Sequence, residues 1–186
     1  MLLSSIKKSK NLKLSKPIVL VGMMGAGKTT FGRKLAKYLE LEFLDIDIEI
    51  EKDIGHSVSW IFQNAGEEEF RKLEKRKIAE ILNLRKPMIL ALGGGAFISE
   101  EVRDIVKKNA VSVWLKASPE TILFRVSQNN RRPILDQAED KLGLIKKIML
   151  DRLKYYEKAD LSVSTERGTH KQIIENIVSE LGNSLN

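Results

Sequence analysis

The stretch that decides the fold is Gly22-Met23-Met24-Gly25-Ala26-Gly27-Lys28-Thr29. It follows the apolar run Ile18–Val21 and leads into a segment, residues 30–37, with the composition of a helix. A glycine-rich loop between a buried strand and a helix is the phosphate-binding P-loop pattern, because glycines let backbone N–H groups turn inward onto phosphate oxygens. In this pattern Lys28 reaches the β- and γ-phosphates of a nucleotide and the Thr29 hydroxyl binds Mg²⁺. The alternative is a glycine-rich turn that merely joins a strand to a helix.

Apolar runs typical of buried strands recur along the chain, with charged segments of helical periodicity between them. The runs are residues 18–21, 42–44, 88–92, 111–115 and 161–163. Such alternation implies parallel strands joined by right-handed crossovers, with helices on both faces of the sheet. We therefore predict a three-layer α/β fold with about five parallel strands, and a ligand beyond the carboxyl ends of those strands.

The positive charge of the chain is concentrated at its start. The 186 residues carry a formal charge of +7, but residues 1–16 hold five lysines and no acid, which leaves 27 basic against 25 acidic residues in the remainder. We predict a basic, flexible extension over residues 1–16 and a single domain over residues 17–186. A nearly neutral domain argues against nucleic acid as a partner.

Composition also limits the chemistry and the location. The chain has no cysteine, which excludes disulfides, zinc–thiolate sites and thiol catalysis and fits a reducing compartment. No run of about 18 apolar residues occurs, and the start lacks the apolar core of a signal peptide. We expect a cytoplasmic protein without a membrane partner, and a monomer.

Two segments that follow predicted strands carry candidate site residues. Asp45 and Asp47 come where the second strand ends, so one carboxylate could hold Mg²⁺ through water and the other could take a proton from an acceptor. Both could instead cap the following helix. The third strand runs into Gly93-Gly94-Gly95, which indicates either a tight turn or a close approach of a ligand to the backbone.

Arg71 and Glu74 stand three residues apart on a predicted helix. The simplest interpretation is a surface ion pair. In the alternative, Glu74 orients Arg71 towards an anionic group of a substrate, since arginine binds carboxylates bidentately. Arg152, on a later helix, leaves the same two possibilities open.

The polar segment 127–137 contains the adjacent residues Arg131 and Arg132 and is typical of a mobile loop. Surface loops of this composition are common. Beside a P-loop, however, a cationic lid has a purpose, because phosphoryl transfer develops negative charge and the site must exclude water.

Taken together, the motifs GMMGAGKTT, DID, GEEEFRKLE, LGGGA, RRPIL and DRLKYYEKAD, in this order and at these spacings, closely resemble those of the shikimate kinase family. The resemblance runs from about Pro17 to the last helix. It implies a P-loop kinase fold with a substrate-binding segment over about residues 45–75 and a mobile lid over about residues 127–140. It also implies transfer of the γ-phosphoryl group of ATP, with Mg²⁺, to the 3-hydroxyl of shikimate in aromatic amino-acid biosynthesis.

The resemblance assigns roles to individual residues. Asp47 is expected to contact the acceptor hydroxyls and act as the base, with Lys28 and Arg132 as the other catalytic residues. Thr29 and Asp45 are expected to serve the metal. Nucleotide contacts are expected from Gly25, Ala26, Gly27, Lys28, Thr29, Thr30, Arg125, Arg132 and Arg167. Substrate contacts are expected from Asp47, Val58, Phe62, Phe70, Arg71, Gly93, Gly94, Gly95, Pro133 and Arg152, in which the two arginines clamp the carboxylate.

Other functions stay open at this point. A gluconate-type or nucleotide kinase would keep the P-loop and the lid but would not need Arg71, the three glycines and Arg152. A non-catalytic binding homologue is a third possibility. His56 and His170 are far apart in the sequence, and we interpret both as surface or capping residues.

Overall fold

The computed structural model of the chain describes residues 14–128 and 138–184. In these two ranges, five strands alternate with helices. The strands are β1 (Ile18–Val21), β2 (Glu42–Asp45), β3 (Met88–Ala91), β4 (Val111–Lys116) and β5 (Leu161–Ser164). The α-helices are α1 (Lys28–Leu39), α2 (Ile46–Ile54), α3 (Val58–Asn83), α4 (Glu100–Asn109), α5 (Pro119–Ser127), α6 (Lys141–Tyr156) and α7 (His170–Ser184). A short 3-10 helix, Ala96–Ile98, precedes α4.

The five strands form one sheet in the order β2-β3-β1-β4-β5, and every neighbouring pair is parallel. β1 is therefore central, and the P-loop that follows it leaves the middle of the sheet at the carboxyl edge. The segments after β2 and β3 lie on one side of the P-loop, and those after β4 and β5 lie on the other. All five predicted strands are confirmed, each within one residue at its carboxyl end.

Successive side chains of β1 enter two different cores, because side chains alternate across a strand. Val19 and Val21 pack into a core shared with helices α2 to α6. Ile18 and Leu20 pack into a second core shared with α1 and α7. Four consecutive apolar residues are needed here since both faces of the sheet are covered. The predicted three-layer arrangement is confirmed.

Helix α3 is two helical arms joined at a kink. Gly66 has φ 83° and ψ 170°, which lie outside the helical region and favour glycine. The Ser57 side chain caps the first arm by accepting from the Trp60 N–H. The second arm is the helix that was predicted to carry Arg71 and Glu74.

Several expectations concern residues outside the described ranges. These are residues 1–13 of the N-terminal extension and residues 129–137 of the lid, which contain Arg131, Arg132 and Pro133. The described chain begins at Leu14, which already packs against the second core. Within the described parts of the chain, no helix is long and apolar enough to cross a membrane.

Candidate active site

The P-loop closes around the side chain of its own lysine. Lys28 donates from Nζ to the carbonyl oxygens of Gly22 and Met23, at 2.8 and 2.9 Å. Gly27, the N-cap of α1, has φ 95°, and a Cβ atom there would lie 2.6 Å from the Phe31 ring. The loop thus needs glycine for both backbone conformation and space. Its form brings the ammonium group and the N-terminus of α1 to one place, which suits an anion.

Asp45 joins the P-loop to the end of β2. Thr29 donates from Oγ1 to Asp45 Oδ2 at 2.8 Å, and the Asp47 N–H donates to Asp45 Oδ1 at 3.2 Å. Asp45 therefore caps α2, as one alternative predicted, and also contacts the hydroxyl expected to bind the metal. Two adjacent oxygen ligands, completed by phosphate and water, fit the preference of Mg²⁺ for few protein ligands. Among the described residues, no cluster of three or more His, Asp or Glu side chains could hold a metal by itself.

Charged side chains and the backbone of the P-loop pack against the three glycines after β3. A Cβ atom on Gly93 would lie 2.5 Å from Glu74 Oε1 and 3.1 Å from Asp47 Oδ1. One on Gly95 would lie 2.5 Å from an Arg71 guanidinium nitrogen. At Gly93 and Gly95 the space of the missing side chain holds a carboxylate and a guanidinium, whereas at Gly94 the nearest atom is the Met24 backbone nitrogen, 3.3 Å from a Cβ position. The tight-turn interpretation is confirmed, since the Ala96 N–H donates to the Gly93 carbonyl at 3.1 Å, and the approach of a ligand to this backbone stays a prediction.

Glu74 is a buried partner of Arg71 and not a surface one. Glu74 is only 1% exposed, and its Oε2 accepts from Arg71 at 2.6 Å. Glu67 also accepts from Arg71, at 3.1 Å. The other oxygen of Glu74, Oε1, is buried and has no hydrogen-bond partner in the described structure. The interpretation as an exposed ion pair is thus wrong, and the buried pair fixes the guanidinium beside Gly95.

Burial decides the direction of the pKa shift of Glu74 but not that of Arg71. Loss of solvent raises the pKa of Glu74, Arg71 opposes that rise, and the nearby charges of Asp47 and Glu67 add to it. For Arg71, burial lowers the pKa, but the attraction and hydrogen bonds of Glu74 and Glu67 outweigh it and the net pKa is raised. The guanidinium is therefore charged.

Arg152 and Tyr156 of α6 converge on the same backbone carbonyl. Arg152 donates to the Gly94 oxygen at 3.0 Å, and the Tyr156 hydroxyl donates to the same atom. Tyr156 is 2% exposed, and burial raises its pKa. The tyrosine thus fixes α6 to the triglycine segment, a contact between residues 62 positions apart that no local sequence pattern indicates.

Arg125 lies on the opposite side of the P-loop, between it and the end of β5. It donates to the carbonyls of Gly25 and Ala26, both at 3.3 Å, and to the Thr165 carbonyl at 2.6 Å. Burial lowers its pKa. Arg167, the other arginine expected at the nucleotide, is exposed two residues after Thr165.

The expected apolar contacts lie near Arg71. The Phe62 and Phe70 rings are 4.7 Å apart, and the Arg71 guanidinium lies 5.9 and 5.3 Å from their centroids. Phe70 is buried in the first core, whereas Val58 and Phe62 are only partly buried against it. The Val58 N–H donates to Glu51.

Most of the predicted site residues line two cavities on either side of the triglycine segment. The first has a volume of about 450 Å³ and the second about 410 Å³. Predicted residues of the first are Gly25, Gly27, Lys28, Thr29, Thr30, Asp45, Asp47, Gly93, Gly94 and Arg125. Predicted residues of the second are Arg71, Gly95 and Arg152. Ala26 is buried in the second core instead, so only its backbone is available to a ligand.

The wall of the first cavity also holds residues that sequence reasoning missed, among them Phe124 and His170. Phe124 is 67% exposed, and His170 packs edge-on against Phe31 with 5.3 Å between ring centroids. An aromatic residue beside Arg125 in an otherwise amphipathic helix was the available signal for Phe124. No sequence signal indicated His170, since its position depends on how α7 packs on α1.

Comparison with known proteins agrees with this geometry. The family model described as shikimate kinase matches residues 24–182. A shikimate kinase of Bartonella henselae is 39% identical over 177 residues, which cover 93% of this chain and 83% of that protein. One of Francisella tularensis subsp. novicida is 42% identical over 164 residues, 88% of this chain and 93% of that protein.

A solved structure extends the comparison to the whole fold. The shikimate kinase from Acinetobacter baumannii, in complex with shikimate, superposes with a TM-score of 0.85 at 36% identity, covering 97% of this chain and 99% of that one. The matched range begins within the P-loop and includes both acids, the triglycine segment, Arg71 and Arg152. A family model that spans most of the chain, close relatives and a superposable fold all agree: this chain belongs to the shikimate kinase family.

Proposed function

We propose that this chain transfers the γ-phosphoryl group of ATP to the 3-hydroxyl of shikimate, a step towards the aromatic amino acids. One observation carries the proposal: a P-loop, a carboxylate and two arginines meet around Gly93–Gly95. This arrangement supplies a phosphate site, a proton acceptor and a carboxylate clamp within one small region. The donor is ATP with Mg²⁺, and the acceptor is a small molecule with one carboxylate and several hydroxyls.

The donor half rests on the P-loop. Backbone N–H groups of residues 25–30 and the Lys28 ammonium would bind the phosphates, with Arg125 and Arg167 nearer the nucleoside. Thr29 and Asp45 would hold Mg²⁺, which neutralises charge on the phosphates when bound. Phosphate oxygens would then replace the Gly22 and Met23 carbonyls as partners of Lys28.

The acceptor half rests on α2, α3 and α6. Arg71 and Arg152 would bind the shikimate carboxylate, and the N–H groups of Gly93–Gly95 would donate to its oxygens. Val58, Phe62 and Phe70 would contact the apolar part of the ring, together with Pro133 from outside the described residues. The buried pair of Glu74 with Arg71 supports this half, because it holds one guanidinium beside Gly95 before any substrate arrives.

The chemistry needs little from the protein beyond alignment and charge neutralisation. Asp47 would accept the proton of the 3-hydroxyl as its oxygen attacks the γ-phosphorus. Lys28 and Arg132 would stabilise negative charge on the transferred group, the latter from the lid outside the described residues. The proton acceptor is the smaller contribution, since the attacking oxygen gains little charge in a loose transition state.

A turnover assay separates this proposal from the alternatives. ADP release is followed by a coupled reaction with shikimate, quinate, gluconate and nucleoside monophosphates as acceptors. We expect release only with a carboxylate-bearing cyclic polyol, and most strongly with shikimate. Turnover with gluconate or a nucleotide would indicate another kinase, and no acceptor-dependent release would support a binding homologue.

The variant Asp47→Asn tests the role of the proton acceptor. The amide keeps the size of the side chain but cannot accept the proton, so we expect kcat to fall about 100-fold or more while ADP still binds, as calorimetry would show. Near-normal turnover would remove Asp47 from the mechanism.

A further inference from the structure

The kink in α3 brings two phenylalanines together. Phe62 lies on the first arm and Phe70 lies on the second, eight positions later. In a straight α-helix eight residues span about 12 Å along the axis. The two ring centroids are instead 4.7 Å apart, with 39° between the ring planes. The contact therefore depends on the change of direction at Gly66.

Gly66 is needed for its backbone conformation and not for space. Its φ of 83° and ψ of 170° fall in a region that only glycine adopts readily. Among the described residues, no atom lies within 4 Å of the position that a Cβ atom would take there. Gly93 and Gly95 differ, because charged groups occupy the space of their missing side chains. A methyl group at Gly66 would thus meet no neighbouring atom, and its effect would be on the backbone conformation.

The first arm is also held at its start. The Val58 N–H donates to Glu51 Oε1 of α2 at 2.8 Å, and Ser57 accepts from the Trp60 N–H at 3.2 Å. Ile61, in the middle of the arm, is buried in the first core. Since its start is fixed on α2, the conformation at the other end of the arm decides how it meets the second arm.

The position of Phe62 matters because of Arg71. The Arg71 guanidinium lies 5.9 Å from the centroid of the Phe62 ring and 5.3 Å from that of Phe70. A guanidinium within about 6 Å of an aromatic ring is attracted to it. Phe70 precedes Arg71 on the same arm, so only the Phe62 contact depends on the kink. Phe62 is also the less buried ring of the pair, and therefore the one that a ligand can contact.

We propose that Gly66 is a positioning residue of the acceptor site. Its backbone conformation holds the accessible Phe62 ring beside the guanidinium that would bind the carboxylate. A cyclic carboxylic acid then meets an apolar ring and a cation together. This inference rests on the proposed shikimate-dependent function. It requires that Gly66 contributes to acceptor affinity through Phe62.

Calorimetric titration of shikimate tests this role. Gly66→Ala and Phe62→Ala should each raise the Kd for shikimate about fivefold or more, since each takes the ring away from Arg71. In the double variant the increase should be no larger than in Phe62→Ala alone, because the ring can be lost only once. The Kd for ADP should stay unchanged in all three variants, since the P-loop lies on a different element.

D-Alanine in place of Gly66 separates conformation from bulk. It carries the same methyl group as L-alanine but favours positive φ. The chain has no cysteine, so three segments can be ligated at Ala65 and Ala79 and the junction cysteines then converted to alanine. We expect the Kd for shikimate to match that of the unaltered protein. This protein also provides the test if Gly66→Ala does not fold.

Val178→Ala controls for lost stability. Val178 of α7 is buried in the second core, on the other face of the sheet from α3, so its truncation leaves a cavity remote from the acceptor residues. Urea unfolding measures the loss of stability in this variant and in Gly66→Ala. The Kd for shikimate should stay unchanged in Val178→Ala.

The outcomes separate this inference from the proposed function. An unchanged Kd for shikimate in Gly66→Ala would overturn the inference. Independent increases in the double variant, a raised Kd with D-alanine, or an equal increase in Val178→Ala would overturn it as well. Failure of the unaltered protein to bind shikimate would instead overturn the proposed function, and the positioning role with it.

Discussion

Glu74 is the residue whose burial most changes the interpretation of its partner, Arg71. In the sequence it stands three positions from Arg71, a spacing that common surface ion pairs share. In the structure it is 1% exposed, one oxygen binds Arg71, and the other lies against Gly93 without a partner. Removing one partner of a buried pair leaves a charge without compensation, which is costly. The pair therefore constrains Arg71 strongly enough to predefine an anion site.

The buried carboxyl also makes stability depend on pH. Burial raises the pKa of Glu74 above its ordinary value of 4.5, so the folded chain keeps this proton at pH values where the unfolded chain has lost it. The stabilisation is fully present below pH 4.5 and is lost as pH rises through the higher folded pKa. The amide introduced by Glu74→Gln cannot ionise. The free energy of unfolding of this variant therefore does not undergo the decrease that ionisation of Glu74 causes.

We therefore expect the free energy of unfolding of Glu74→Gln, relative to the unaltered protein, to increase as pH rises from 4.5. Urea unfolding at a series of pH values measures the difference. A difference that is independent of pH would contradict the assigned direction of the shift.

Arg71 has the clearest expected effect on substrate affinity. A charged hydrogen-bond pair contributes about 1.5–3 kcal/mol, so Arg71→Ala should raise the KM for shikimate about 10- to 100-fold. The KM for ATP should change far less, because the P-loop lies on the other side of Gly94. Arg76→Ala removes an exposed arginine from the same helix as a matched control. Equal increases in both KM values would contradict the clamp.

At the scale of elements, the triglycine segment is the junction of the site. Gly94 lies against Met24 of the P-loop, and Asp47 of α2, Arg71 of α3 and Arg152 of α6 all approach residues 93–95. The acid that would bind the metal comes from the end of β2, since the segment after β3 holds glycines in place of an acid. Because the glycines after β3 have no side chains, charged groups of three helices and the P-loop can lie close together around them.

Gly93→Ala tests this junction. The new methyl group would lie 2.5 Å from Glu74 Oε1, and Glu74 cannot move away because it is buried and bound to Arg71. We expect a loss of about 1–3 kcal/mol in the free energy of unfolding, with shikimate turnover falling more than ADP affinity. Thermal unfolding and calorimetry measure the two effects.

The double variant with Glu74→Ala provides the control. If the clash is with Glu74, the two costs will not add, because the second substitution removes the atom that the first one meets. Fully additive costs would assign the loss to the backbone of the glycine.

At the scale of the whole molecule, strand order arranges the two substrates. Because β1 is central, the proposed phosphate site on the P-loop lies in the middle, the proposed acceptor residues Asp47 and Gly93–Gly95 follow β2 and β3, and Phe124 follows β4. Strands β1 and β3, buried along their whole length, lie beneath both halves. The two cores on either side of β1 fix α3 and α6 on one face and α1 and α7 on the other.

Residues 1–13 of the basic extension are outside the described part of the chain. Leu14 is the first described residue and contacts the second core. The residues before it include four lysines, a residue type that is seldom buried in a core. Removal of residues 1–13 should leave kcat and both KM values unchanged within about twofold, as for changes remote from buried features. Steady-state kinetics of the shortened chain measure this, and a large loss would assign the extension a function.

The sequence by itself determined the layer architecture and the chemistry of the donor site. Apolar runs such as Ile18–Val21 and the glycine-lysine pattern of residues 22–29 are local signals, because strand burial and loop conformation depend on neighbouring residues. The ordered motifs also named the acceptor residues through their resemblance to a family. Tertiary structure alone decided that Glu74 is buried, that Tyr156 binds Gly94, and that Phe124 and His170 share the cavity of the P-loop. The reason is physical. Tyr156 and Gly94 are 62 positions apart, and their contact depends on how helices pack on the sheet. No local sequence pattern contains that information.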